Sequence, residues 1–436
     1  MSTKRTALTG PIALLSLGHA CVDVYQGAVA ALVPFFVSER SYTYAAASGI
    51  VLAVSLLSSV VQPLFGALTD KWAMPWLLPV STLVGGTGVA LAGVSGSYAL
   101  TLAVVSVSGI GIAAYHPESA RMARTASRGS HTAMGWFSLG GNLGFATAPL
   151  LVAAVIATGG LRASPLLVVP ALAGAALCAA ALRAVAALPA VPAATRASGA
   201  VGAVGAVGGD GGDGWDGRDD WASFMKLTGA IVCRSIVFVG LSAFISLFVR
   251  QRTGGGEVSG TAALFVLYLG GAVGTVTGGK LATRHGRLPV VRWSYALTVP
   301  AVAGVVLVPG PLLYGCVALT SAGLYVPFSL HVTLAQDYLP RRVGTASGVT
   351  LGLAVSIGGV AGPLIGAVAD ATSLRTALAP LIALPALGWF LLRTLNEPEM
   401  PDAGPRRPAV ATRPPVTRPP AAHDARRKSL QRDDQG

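Results

Sequence analysis

The chain has 436 residues, 53% hydrophobic and 11% charged, with a formal net charge of +13 and a mean hydropathy of +0.65. Soluble globular proteins carry about 25% charged residues, so this composition excludes a soluble protein and implies an integral membrane one. The long apolar runs exclude a β-barrel, whose strands alternate over roughly ten residues, and leave an all-α membrane protein.

In chain order, apolar segments long enough for a hydrocarbon core of about 30 Å lie at 12–37, 45–69, 76–96, 98–122, 131–157 and 164–187. The first has polar residues on one face and no small-residue cleavage site, so it is read as a retained helix rather than a signal peptide. Residues 188–221 are rich in Gly, Ala and Asp without amphipathic pattern, the composition of a flexible linker. Six more segments follow at 222–250, 258–283, 288–308, 311–338, 343–369 and 374–395. The Pro- and Arg-rich stretch 396–436 is expected to be a disordered basic tail. The organisation is thus an N-terminal six-helix half (1–187), a linker (188–221), a C-terminal six-helix half (222–395) and a tail (396–436).

Charge placement gives orientation. Nine of the 31 Lys and Arg lie from Arg393 onward. With both termini inside, the inner loops hold Lys71, Arg124, Arg128, Arg284, Arg287, Arg341 and Arg342, against Arg40, Arg162, Arg250, Arg252 and Arg375 outside. That asymmetry predicts cytoplasmic termini in a multi-pass protein of the cell's inner (plasma) membrane. No basic-aromatic stripe suggests nucleic acid. The four cysteines sit in apolar segments without metal spacing, so neither a disulfide framework nor a metal or cofactor is expected.

The halves repeat each other. "FGALTDK" at Phe65 matches "GGKLATR" at Gly278, "GIAAYHP" at Gly111 matches "SAGLYVP" at Ser321, and "ATAPLL" at Ala146 matches "VAGPLI" at Val360, with offsets of 213, 210 and 214 residues. Three ordered matches with near-equal offsets indicate a duplicated six-helix unit.

Ionisable residues inside these segments are the functional candidates, because a charge at the bilayer centre costs roughly 2.5–3.5 kcal/mol or more. In "LGHACVDVYQGAVAALVPFF", His19, Asp23 and Gln26 are spaced i, i+4, i+7 and share one helix face. That face must meet protein or water. A carboxylate in low dielectric takes up protons near neutrality, and an imidazole beside it can stabilise the charge or accept the proton; the alternative is a structural polar pair. Pro117 in "AYHPESAR" removes an amide donor and allows a kink beside Tyr115, His116, Glu118 and Arg121. Glu118 and Arg121 are i, i+3 neighbours able to pair, though Arg121 also suits an interfacial anchor. Arg234 lies deep in the seventh segment, where its planar fork would match a phosphonate or carboxylate. His331 is a weaker ligand candidate in the tenth segment. The Gly-rich runs in segments 5 and 11 are expected to let those helices approach and slide against the partner half.

Two six-helix halves joined by a long inner loop resemble the major facilitator superfamily. "GALTDK" is similar to its signature after helix 2. The resemblance implies a conformational loop motif at Gly66, Asp70 and Lys71, with Gly66 serving close packing. The chain departs from the pattern by continuing "WAMPW", and the second copy has Thr283 where Asp is usual. "GHACVDVYQ", "TDKWAMPW", "YHPESARMARTASRGSH" and "LPRRVGTASG" together resemble the fosmidomycin-resistance efflux family. That resemblance implies proton-driven export of a small drug, the namesake being a phosphonate, and a cavity lined by helices 1, 4, 7 and 10. The expected machinery is therefore Asp23, His19, His116 and Glu118 for protons, and Arg234, Arg121, Gln26, Tyr115 and His331 for substrate. Asp23, His116 and Arg234 are expected to border one cavity between the halves. The expected partners are a small-molecule substrate, protons and the lipid bilayer, with the protein a monomer.

Two other readings stand beside it. One is a sugar or metabolite transporter on the same scaffold. The other is a membrane-embedded enzyme, disfavoured because no nucleophile–base or metal-ligand set stands out and an enzyme needs no duplicated halves. No P-loop for ATP is present, and no filter-like repeat suggests a channel.

Overall fold

A computed structural model describes residues 3–128, 130–188, 219–342, 345–346, 349–350 and 354–398. Most of the linker and nearly all of the tail lie outside them. The N-terminal half comprises α1 (Thr3–Arg40), α2 (Tyr44–Lys71), α3 (Leu77–Ala92), α4 (Tyr98–Ser127), α5 (His131–Ile156) and, after a 3-10 turn over Gly160–Val168, α6 (Val169–Ala186). The C-terminal half comprises α7 (Trp221–Thr253), α8 (Gly256–His285), α9 (Arg287–Leu307), α10 (Leu312–Tyr325), α11 (Phe328–Tyr338), α12 (Ala354–Ala371), α13 (Leu374–Leu378) and α14 (Ala383–Leu392). Ten spans are long and apolar enough to cross a membrane and two more are shorter, α3 and Ser356–Ala371. The molecule is a twelve-span helical membrane protein.

Several helix starts follow local chemistry. Thr43, Ser97, Asp220 and Ser373 each accept a backbone N–H from the first turn of α2, α4, α7 and α13, satisfying a donor that has no intrahelical partner. The tenth span was expected as one helix over 311–338. It is two, α10 and α11, separated at Val326–Pro327, where proline removes a backbone donor. The eleventh span was expected from 343; residues 343–344, 347–348 and 351–353 lie outside the description, and α12 is described from Ala354.

Alternating spans give the molecule two ends. One carries the start of α1, Lys71, Ser127, the start of α7 and the end of α14; here it is called the terminal end. The far end carries Arg40, Tyr44, Arg250 and Ala371. Within the N-terminal half α1 and α5 touch backbone to backbone. A Cβ at Gly140 would lie 2.2 Å from the Ser16 carbonyl oxygen, and one at Gly144 would lie 2.1 Å from that of Ala20. The glycines of segment 5 therefore seat α5 on α1 of their own half, not on the partner half as expected. Segment 11 divides the work: Gly358 packs on Ser235 of α7, whereas Gly359, Gly362 and Gly366 face Leu52, Ser48 and Ala45 of α2 across the interface.

The halves close against each other at the far end. Asp370 at the end of α12 accepts the backbone N–H groups of Tyr44 (2.7 Å) and Ala45 (3.0 Å), capping α2 across the interface. Gln251 at the end of α7 donates to the Tyr44 hydroxyl at 3.0 Å. Among the described residues, the contacts of α2 with α7 and α12 gather toward the far end, while Leu56, Val60 and Leu64, farther along α2, are 38%, 63% and 60% exposed.

Candidate functional site

The structure brings His19, Asp23 and His116 together. Asp23 lies near the middle of the Gly10–Arg40 span, with His19 one turn away on the same face. Nε2 of His19 is 3.3 Å from Asp23 Oδ2, and Nε2 of His116 is 3.1 Å from Asp23 Oδ1. The rest of each ring is fixed by packing. His19 stacks on Phe137 of α5 with centroids 4.4 Å apart and meets His116 edge-on at 5.5 Å.

The backbone dictates the tautomers. Nδ1 of His19 is 3.0 Å from the Phe137 carbonyl oxygen, and Nδ1 of His116 is 2.8 Å from that of Ile112. A carbonyl only accepts, so each Nδ1 carries hydrogen and donates it. Both Nε2 lone pairs then face one carboxylate. With both rings neutral, three lone-pair-bearing groups confront each other without a donor; Asp23 Oδ1 has no aligned hydrogen bond. A proton on either Nε2 would supply the donor that this arrangement lacks. Side-chain exposures of 14% for Asp23 and 21% for His116 leave it a path to the outside.

Gly141 of α5 makes the cluster possible. A Cβ there would lie 2.5 Å from Asp23 Oδ2 and 2.6 Å from the His19 ring. Reading the sequence assigned Gly141 to helix packing and missed this contact; only the pairing of α5 with α1 reveals it.

Of the other N-half candidates, Tyr115 touches this cluster. Glu118 is fully buried and holds Arg121 in a two-point pair, through Arg121 Nε to Oε2 at 2.9 Å and Nη2 to Oε1. The Arg121 side chain is 38% exposed. Gln26 is half-buried on α1. Tyr115 is fully buried; its ring lies 5.9 Å from that of His19, and its hydroxyl lacks a hydrogen-bond partner among the described residues. At the conformational motif, Gly66 has no neighbour within 4 Å of a built Cβ, so the close packing expected of it is not found in this conformation. Lys71 is exposed, and the Asp70 side chain lies outside the description.

Arg234 does not join the triad. It is 7% exposed and lies in the C-half interior, beside a small cavity lined by Tyr295, Thr298, Gly323, Leu324 and Pro385. Nη1 donates to the Leu324 carbonyl at 3.0 Å, the guanidinium lies 5.2 Å from the Phe328 ring centre, and Nε has no partner among the described residues. No carboxylate of the described residues pairs with it. His331 is 2% exposed, edge-on to Tyr295 at 5.7 Å, with neither ring nitrogen hydrogen-bonded. Arg234 and Asp23 are nonetheless repeat mates: "GHACVD" and "GAIVCR" align at an offset of 211 residues.

The comparisons agree with this architecture. A structure of a mutant nucleoside transporter NupG superimposes with a TM-score of 0.68 at 14% identity, covering 88% of this chain and 99% of that one. A bacterial homologue of the human lysosomal transporter Spinster, in an inward-facing and occupied conformation, gives 0.67 at 16% identity, covering 89% and 98%. At the sequence level the chain is 29% identical to the fosmidomycin resistance protein of Escherichia coli K12 over 395 residues, 90% of this chain and 94% of that protein. These relatives are transporters, which removes the membrane-enzyme alternative. The model of the Major Facilitator Superfamily matches residues 15–363, and the chain belongs to that superfamily.

Proposed function

We propose that the protein is a proton-coupled exporter of a small anionic drug or metabolite of the phosphonate class, acting as a monomer by alternating access in the inner membrane. The observation that carries the coupling is the convergence of two Nε2 lone pairs on the Asp23 carboxylate. Its formal charge is −1 with both imidazoles neutral, 0 with one proton and +1 with two, so proton uptake changes the sign of the local field. Glu118 assists by holding Arg121 in place, and Gln26 lines the same side of α1.

An anionic substrate is supported by two cations, one in each half. Arg121 offers a half-exposed guanidinium, and Arg234, with His331 behind it, offers buried donors lacking a carboxylate partner; Tyr115 backs the site. Buried charge without a partner is costly, which favours an arriving anion. With both termini cytoplasmic, as the Lys and Arg distribution suggests, the terminal end faces the cytoplasm and the far-end closure is the outer gate. That is the loading state of an exporter, and rocking of the halves would then expose the site outside. Export of fosmidomycin itself rests on the 29% identity to the resistance protein.

The test is accumulation of labelled fosmidomycin, and of a panel of phosphonates and carboxylates, in proteoliposomes under an imposed pH gradient. Gradient-dependent movement of an anion abolished by a protonophore supports the reading. Equal movement with and without the gradient overturns it.

A further inference from the structure

We propose that His19, Asp23 and His116 form a binding site for a divalent transition-metal ion of the zinc class, with both Nε2 atoms and the Asp23 carboxylate as protein ligands. The proposal rests on the geometry of the cluster and not on the proton reading, so the two fail separately.

Four observations carry it. First, metal-bound imidazoles almost always donate their other N–H to a carbonyl, carboxylate or water, which fixes tautomer and ring orientation. Both imidazoles here do so, to Phe137 and Ile112, before any ion is considered. Second, the ligand spacing is close to that of a bound ion. Each Nε2 lies on its own carboxylate oxygen, His19 at 3.3 Å from Oδ2 and His116 at 3.1 Å from Oδ1, near the roughly 3.3–3.4 Å between two donors bound to zinc at about 2.0–2.1 Å in tetrahedral geometry; one donor from each residue lies within 4.8 Å of the others, so the side chains need only close in slightly to share one ion. Third, the donors are two imidazole nitrogens and a carboxylate oxygen, a set that suits zinc and its neighbours better than calcium or magnesium. Fourth, the supports are rigid and the entry is open: α1 supplies two ligands, α4 the third and α5 a carbonyl, while His116 and Asp23 keep partial exposure. Three protein ligands leave a coordination position for water or for an anionic oxygen, so a bound ion would add a cationic contact for the anions proposed above.

The experiment uses the full-length protein purified in detergent and stripped with a chelator. Zinc chloride is titrated calorimetrically, and retained zinc is measured by atomic emission after gel filtration. The expected result is one zinc per chain in the wild type, with binding weakened about 10- to 100-fold or more in Asp23→Asn and in His116→Gln. His285→Gln, on the exposed end of α8, should bind as the wild type does. Each variant is first checked for a monodisperse elution profile and an unchanged melting temperature. Should a variant fail that check, the wild type alone decides: cobalt(II) added to it should give the visible absorption of a four- or five-coordinate N/O site, and zinc should bleach that band. A wild type that retains no zinc and gives no cobalt band overturns the proposal, as does a folded Asp23→Asn/His116→Gln double variant that binds zinc unchanged. Absent zinc binding with intact gradient-driven transport removes the metal site and keeps the proton reading; zinc binding without gradient-driven transport does the reverse.

Discussion

The two halves share a duplicated scaffold but treat the same position in opposite ways. In the N-terminal half the repeat position is Asp23, flanked by two imidazoles and partly open to the outside. In the C-terminal half it is Arg234, 7% exposed, held by a carbonyl and an aromatic face. The difference extends to the neighbouring prolines. Pro117 lies inside a continuous α4, whereas its mate Pro327 separates α10 from α11. Duplication supplies two equivalent places where an ionisable group can be held at mid-membrane. Divergence gives one half a carboxylate flanked by two imidazoles and the other a guanidinium without a carboxylate partner among the described residues.

The largest expected effect falls on the Asp23 side. Asp23→Asn removes the carboxylate on which both imidazoles converge, and gradient-driven transport should fall to background while substrate exchange persists. Full gradient-driven transport by this variant would take Asp23 out of the coupling. On the other side, Arg234→Met should separate stability from function. Replacing buried ionic groups by apolar residues of similar volume is often neutral or stabilising by about 1–4 kcal/mol. The variant should therefore melt no lower than the wild type yet lose anion binding, and Arg234→Lys should also bind weakly because the planar fork is gone. Retained affinity in both would show that the C-half cation is structural.

Gly141→Ala probes how the cluster is seated. The added methyl meets Asp23 and His19 below van der Waals distance, and overpacking of this kind costs about 1–3 kcal/mol. Gly135→Ala, on the same helix but with nothing within 4 Å, is the matched control and should be silent. Comparable melting of the two variants would mean that α5 yields easily and that Gly141 does not position the triad. The smallest effect belongs to the interface between the halves. Asp370→Ala removes the cap that α12 places on α2, a loss of about 1 kcal/mol. That corresponds to a roughly fivefold shift toward conformations parted at the far end, readable as faster labelling of a cysteine introduced at Ala45. Unchanged labelling would show that the cap does not hold the gate.

The same contrast explains what could be read from the sequence. The spans were legible because lipid demands long apolar helices, and the duplication because three motifs recur in order. His19 and Asp23 could be matched by helical spacing alone. His116 was placed with Asp23 at one cavity by the polar cluster around Pro117 and the family resemblance; its direct contact with the carboxylate depends on how α4 packs on α1 and could not be read from spacing. Gly141 was hidden for the same reason, since a missing side chain announces nothing until the opposing helix is known. Arg234 was expected beside the cavity and lies inside its own half. In the apolar 18-residue stretch of α7, 83% of the residues are buried, so nearly every face of that stretch meets protein and periodicity cannot say which way one residue points.

The central claim is that the Asp23 cluster exchanges protons against an anion. The most direct measurement is proton movement in proteoliposomes without an imposed gradient, followed with an internal pH-sensitive dye as an outward gradient of a transported phosphonate is applied. The account predicts proton flow opposite to the substrate in the wild type and none in Asp23→Asn, with substrate exchange retained in both. Substrate movement in the wild type without any proton movement would contradict it.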